Sequence, residues 1–121
     1  MPWTVIYSTV FEEWLESCSE SLQNEALAHI ELLSMMGVKL SFPHSSKIRG
    51  TKLPGMRELR FKHGKSEIRI LYIFDPLRQV FLLAGGDKLS SKKWYEKNVP
   101  FAEGIYREYL ESLKDDGGDM K

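Results

Sequence analysis

Arg60 and Arg69 lie in two consecutive strand-like runs, with Glu58, Lys62 and Glu67 at alternate positions around them. Side chains along a strand alternate between faces, so Leu59, Phe61, Ile68 and Ile70 turn to a core, and Glu58, Arg60 and Lys62 gather on the other side. Such a face has two readings. It is either a solvated surface of cross-strand ion pairs, worth ~0–1 kcal/mol each, or a site for a polyanion. The basic residues around it (Lys47, Arg49, Lys52, Arg57, Lys88, Lys92 and Lys93) favour the second.

The turn between the two runs, His63-Gly64-Lys65, permits two registers. A Gly64-Lys65 loop has the leading glycine of a type II′ turn and sets Arg60 directly against Arg69, a like-charge pair. A His63-Gly64 loop sets Arg60 against Glu67 and Glu58 against Arg69. Both registers keep the two arginines on one face.

The segment 47–97 holds thirteen of the seventeen Lys and Arg residues but only five of the seventeen acids, a formal charge of +8. Its flanks carry −5 and −3, so a net charge of zero conceals a polarised chain. That asymmetry points to an anionic partner. A length of 121 residues suits one domain with its own core. Cys18 is the only cysteine, which excludes an internal disulfide and a cysteine-based zinc site and fits a reducing, cytoplasmic setting. The first residues have no basic stretch followed by an apolar one, and no run reaches membrane-spanning length. No metal or cofactor is expected.

The elements that position the charged face follow from periodicity. Trp3–Tyr7 reads as a strand. Thr9 is expected to cap a short helix through its hydroxyl, and a second helix runs from about Ser21 to Met36 with Gly37 at its end. Residues 41–51 read as a loop. Strands follow at about 57–62, 67–74 and 79–84. A helical turn over 90–97 leads to a kink or restart at Val99-Pro100 and a final helix carrying Phe101, Ile105, Tyr109 and Leu113. Residues 114–121 form an acidic tail expected to be disordered. The order β-α-α-β-β-β-α defines class α+β: a small antiparallel sheet with helices packed on it, as a single domain over 1–113.

The runs GTKLPGMRELRF, EIRILYIF and VFLLAGGDK, in that order, resemble the RelE/HigB-like toxins of type II toxin–antitoxin systems, and most closely their phage-derived HigB-like branch. The likeness covers residues 3–113. Its most specific parts are Glu58-Leu59-Arg60, Arg69-Ile70-Leu71-Tyr72 and the strand ending at Lys88. Many HigB-like toxins continue that last strand with an aromatic residue and paired lysines, where this chain has Gly85-Gly86-Asp87-Lys88.

The resemblance implies a RelE fold, a ribosome-dependent endoribonuclease acting on mRNA, and a cognate antitoxin, typically of helix-turn-helix type. It also implies catalytic roles for Arg60, Arg69, Lys88 and Lys52. RNA scission by the 2′-hydroxyl needs that hydroxyl deprotonated, the pentacoordinate phosphorane stabilised and the leaving 5′-oxygen protonated. Arginine forks suit the second task. A lysine whose pKa neighbouring cations lower could serve as base: Lys52, Lys88 or Lys62. For any single lysine the simpler reading is a solvated contact to ribosomal RNA. The remaining RNA-binding candidates are Arg57, Lys92, Lys93 and Arg49, with Tyr95 and Trp94 offering rings to an unpaired base. His44 could line the site, and His63 reads as a turn residue. The competing readings are a non-catalytic, gyrase-binding toxin of the ParE type and a degenerate module that only binds RNA or its antitoxin.

Overall fold

The computed structural model describes residues 2–119, with side chains through Lys114. Strand β1 (Thr4–Tyr7) leads into helices α1 (Thr9–Ser17) and α2 (Glu20–Met36). Strands β2 (Ser45–Lys47), β3 (Arg57–His63), β4 (Ser66–Asp75) and β5 (Gln79–Asp87) follow, then helix α3 (Trp94–Asp119). The five strands form one sheet in the order β1-β5-β4-β3-β2. It is antiparallel except at one edge, where β1 runs parallel to β5.

Both faces of this sheet are covered. Phe11, Ala26, Ile30 and Leu33 of α1 and α2 pack on Leu59, Phe61, Ile68, Ile70, Tyr72 and Leu82. On the other face, Trp94, Val99, Ala102 and Tyr106 of α3 pack on Leu71, Ile73, Phe81 and Leu83. A side chain of this size contributes about 1.5–3 kcal/mol when fully buried. Cover on both faces explains why the run Ile70–Phe74 is apolar without alternation. The class is α+β, as the element order implies.

Several boundaries differ from the sequence reading, each for a local reason. Ser8, not Thr9, caps α1: its Oγ accepts the Phe11 N–H at 2.9 Å. Its hydroxyl also donates to the Leu83 carbonyl, which ties the helix to β5. Ser45–Lys47, expected within a loop, is a strand paired with Arg57–Leu59. Pro100 breaks nothing, and α3 continues through it. Of the tail expected to be disordered, α3 includes residues to Asp119, while 120 and 121 lie outside the described residues.

Gly85 and Gly86 continue β5 rather than end it, pairing with Ile70 and Arg69. Successive strand residues face opposite ways, and each glycine meets a tryptophan. A Cβ on Gly85 would lie 2.6 Å from the Trp14 ring, and one on Gly86 would lie 2.8 Å from Trp94 Nε1. The two missing side chains admit the rings that seat α1 and α3 on the sheet.

Candidate nucleic-acid interface

The hairpin β3–β4 adopts the register with the Gly64-Lys65 loop. His63 pairs with Ser66 and Arg60 pairs with Arg69, with Gly64 at φ +59°. Arg60 and Arg69 therefore share one face, directly opposed, and both line a groove of about 330 Å³ with His29, Pro43, His44, Phe61, Lys62 and Glu67.

The two arginines are held differently. Arg69 is 3% exposed, whereas Arg60 is half-buried. Arg69 Nε donates to the Tyr95 hydroxyl at 3.1 Å and Nη1 donates to the Ile68 carbonyl at 2.8 Å. Glu58 lies 3.5 Å from Arg69 Nε, and Glu67 lies 3.7 Å from Nη1. The Tyr95 hydroxyl donates to Glu58 Oε1 at 2.7 Å, and Ser46 donates to Glu58 Oε2 at 2.7 Å. β2, β3, β4 and α3 are thus joined through one polar network. Burial, then hydrogen bonding to Glu58 and its charge, raise the Tyr95 pKa, so this phenol stays a donor at neutral pH.

Two carboxylates compensate Arg69, as a buried charge requires. Among the described residues Arg60 has no acid partner. Its guanidinium lies over the Phe42 ring, 4.8 Å from the centroid, and its Nε is buried without a hydrogen-bond partner. Lys62 reaches Glu67 at 3.6 Å from an exposed position. The groove holds three cations against Glu67 and the nearby Glu58, so its local excess is far smaller than the charge of the whole segment suggests.

The other candidates lie elsewhere. Lys52 and Arg49 line a second groove with Tyr95, Glu96, Val99, Pro100 and Glu103. Tyr95 stands between the two, since it borders this groove and bonds Arg69 of the first. Glu103 anchors the loop by accepting from the Lys52 N–H and the Thr51 hydroxyl. Burial opposes ionisation of Glu103. Those hydrogen bonds, with the charges of Arg107 and Lys52, outweigh it and hold the carboxyl below its ordinary range. Lys88 begins a 3-10 turn beyond β5, capped by Asp87, whose Oδ1 accepts the Leu89 and Glu67 N–H groups. Lys92 and Lys93 are exposed just before α3.

Arg57 is not part of the charged face. Two residues before Leu59, it shares the opposite face, where its Nε donates to Ser45 Oγ at 3.0 Å. Trp94, the first residue of α3, is 5% exposed against the sheet and offers no ring to a base. Tyr95 is committed through its hydroxyl. His63 is more than a turn residue, because its Nδ1 lies 2.9 Å from Glu25 of α2. His29 bonds the Glu25 carbonyl through Nδ1 and stacks on Phe61, yet also lines the Arg60 groove. Among the described residues, no three His, Cys, Asp or Glu side chains are placed to hold a metal ion. Among them too, no helix is long and apolar enough to cross a membrane.

The fold is that of the RelE toxins. A free-state mutant of Escherichia coli RelE superposes with a TM-score of 0.57 at 14% identity, covering 79% of this chain and 94% of that one. A chain of the toxin–antitoxin complex RelBE2 from Mycobacterium tuberculosis gives 0.54 at 20% identity, covering 72% and 99%. The family model of the phage-derived Gp49-like proteins (DUF891) matches residues 13–107. Mycobacterium tuberculosis HigB3, which bears a toxin name, is 36% identical over 109 residues, 89% of this chain and 94% of its own. HigB2, named likewise, is 35% identical over 104 residues, and the aligned region is 84% of this chain but only 52% of HigB2. The chain belongs to the Gp49-like, HigB-like family, and its fold is the one the RelE toxins share.

Proposed function

We propose that the protein is an endoribonuclease that cuts single-stranded mRNA in the Arg60 groove, by attack of a 2′-hydroxyl on the adjacent phosphorus. The P–O5′ bond breaks, leaving a 2′,3′-cyclic phosphate and a 5′-hydroxyl. One observation carries this reading: among the described residues no carboxylate pairs with Arg60, while Glu67 in the same groove is engaged by Lys62 and Arg69 and the arginine opposite is neutralised. A planar fork free of carboxylates is available to the phosphate oxygens, where charge grows in the transition state.

In this reading Arg60 binds the scissile phosphate. Arg69 is a positioning residue whose fork is already engaged, and His44, exposed at the groove, moves a proton. Lys52, Arg49, Lys88, Lys92 and Lys93 lie outside the groove and are assigned to the RNA backbone. The ribosome as the setting of cleavage is supported by the family likeness alone. An antitoxin partner is supported by the RelE-like neighbours solved as toxin–antitoxin complexes. A helix-turn-helix antitoxin is the type expected.

Induced expression of wild type and Arg60→Ala tests this, with primer extension on translated transcripts and a gyrase supercoiling assay in parallel. New 5′ ends with wild type and none with Arg60→Ala are expected, with supercoiling unaffected. Growth arrest without new ends, or with gyrase inhibited, contradicts it.

A further inference from the structure

Phe42 stands at the edge of the groove. It is 69% exposed and precedes Pro43 and His44, both of which line the groove. An exposed phenylalanine alone requires no ligand. This one carries the Arg60 guanidinium on its ring, within the range of a cation–π contact. The contact holds the Arg60 guanidinium beside the ring without using a carboxylate. Trp94 and Tyr95, the other rings near the basic residues, are buried or bonded through the hydroxyl.

We infer that Phe42 is the stacking platform for a nucleobase of single-stranded RNA, beside the phosphate that Arg60 holds. The inference rests on the nuclease reading for its ligand and adds the site that orients the substrate. With the guanidinium centre 4.8 Å from the ring centroid, a nucleotide whose phosphate meets the fork has its base within reach of the ring. Every base has a π face, so the ring contributes affinity and register rather than readout of one base. A strand paired in a duplex keeps its bases stacked on one another and cannot use the ring, so the site selects unpaired RNA. The uncompensated charge of Arg60 favours an anionic chain here over an apolar protein segment.

The test is binding of a short single-stranded RNA made resistant to cleavage by 2′-O-methyl groups, compared with the same strand carrying abasic sites. Phe42 is exposed, so its variants should fold, and circular dichroism checks this. Phe42→Ala should weaken binding of the intact strand about tenfold, within the range for loss of one stacked base. Phe42→Trp should restore it, and wild type and Phe42→Ala should bind the abasic strand equally. Unchanged affinity in Phe42→Ala overturns the inference, as does failure of wild type to bind RNA. Loss of antitoxin binding with RNA binding intact also overturns it, because the ring is then a protein contact. Wild type that binds through Phe42 but cuts no RNA overturns the nuclease reading alone.

Discussion

Arg60 and Arg69 stand directly opposite each other across β3 and β4, and only one of them is compensated. Like charges in that arrangement oppose folding. The chain offsets this by placing Arg69 between Glu58 and Glu67 under the Tyr95 hydroxyl. Removing a partner should therefore be costly. Glu58→Ala should lower stability by about 3 kcal/mol, the low end for a broken buried ion pair because Glu67 remains. Tyr95→Phe should cost about 1 kcal/mol. Urea unfolding of both variants measures this, and a loss under about 0.5 kcal/mol in Glu58→Ala would show that Arg69 does not depend on it.

The paired glycines of β5 make a second prediction. Gly85→Ala drives a methyl into the Trp14 ring, and Gly86→Ala drives one into Trp94. Each should lower stability by about 1–3 kcal/mol, the usual cost of overpacking. Near-ultraviolet circular dichroism should change in both, since the contacts are indoles. Unaltered spectra and thermal midpoints would contradict the packing described.

Glu103 gives a third, in acid. Its folded pKa lies below the unfolded value, so its contribution is complete above the ordinary glutamate range, roughly pH 4.3, and is lost as pH falls through the depressed folded value. Asp87 follows the same sign: burial opposes its ionisation, but the Leu89 and Glu67 N–H groups, Ser66 and the Arg69 charge outweigh it. Glu103→Gln should be less stable than wild type at neutral pH, with the gap closing below about pH 4. A constant gap from pH 7 to pH 3 would show that the carboxyl's charge plays no part.

Much of this arrangement was legible in the residues. Alternation in 57–62 placed Arg60 and Arg69 on one face, and the apolar run of β4 marked a strand in the sheet's interior. What the chain could not declare depended on long-range contacts. The turn residues allowed two registers, and local repulsion disfavoured the one the sheet adopts. Its cost is offset by Glu58 and Glu67, and the first of these is held in place by Tyr95, twenty-six residues beyond Arg69. Residues 45–47 have no strand period, because a three-residue edge strand is held by pairing to β3 alone. Gly85-Gly86 resembled a strand end because the tryptophans that need the space are 71 and 8 residues away in sequence, Trp14 from Gly85 and Trp94 from Gly86. Phe42 had no periodic signal, since its place is fixed by Arg60 across a loop.

The proposed cleavage depends on Arg60 above every other side chain. Single-turnover cleavage of a translated mRNA by purified wild type and Arg60→Ala, with the product termini identified, tests it most directly. Wild type should leave 2′,3′-cyclic phosphate and 5′-hydroxyl ends, and Arg60→Ala, equally folded, should be about 10²–10³ slower. Cleavage by Arg60→Ala within a few-fold of wild type would contradict it.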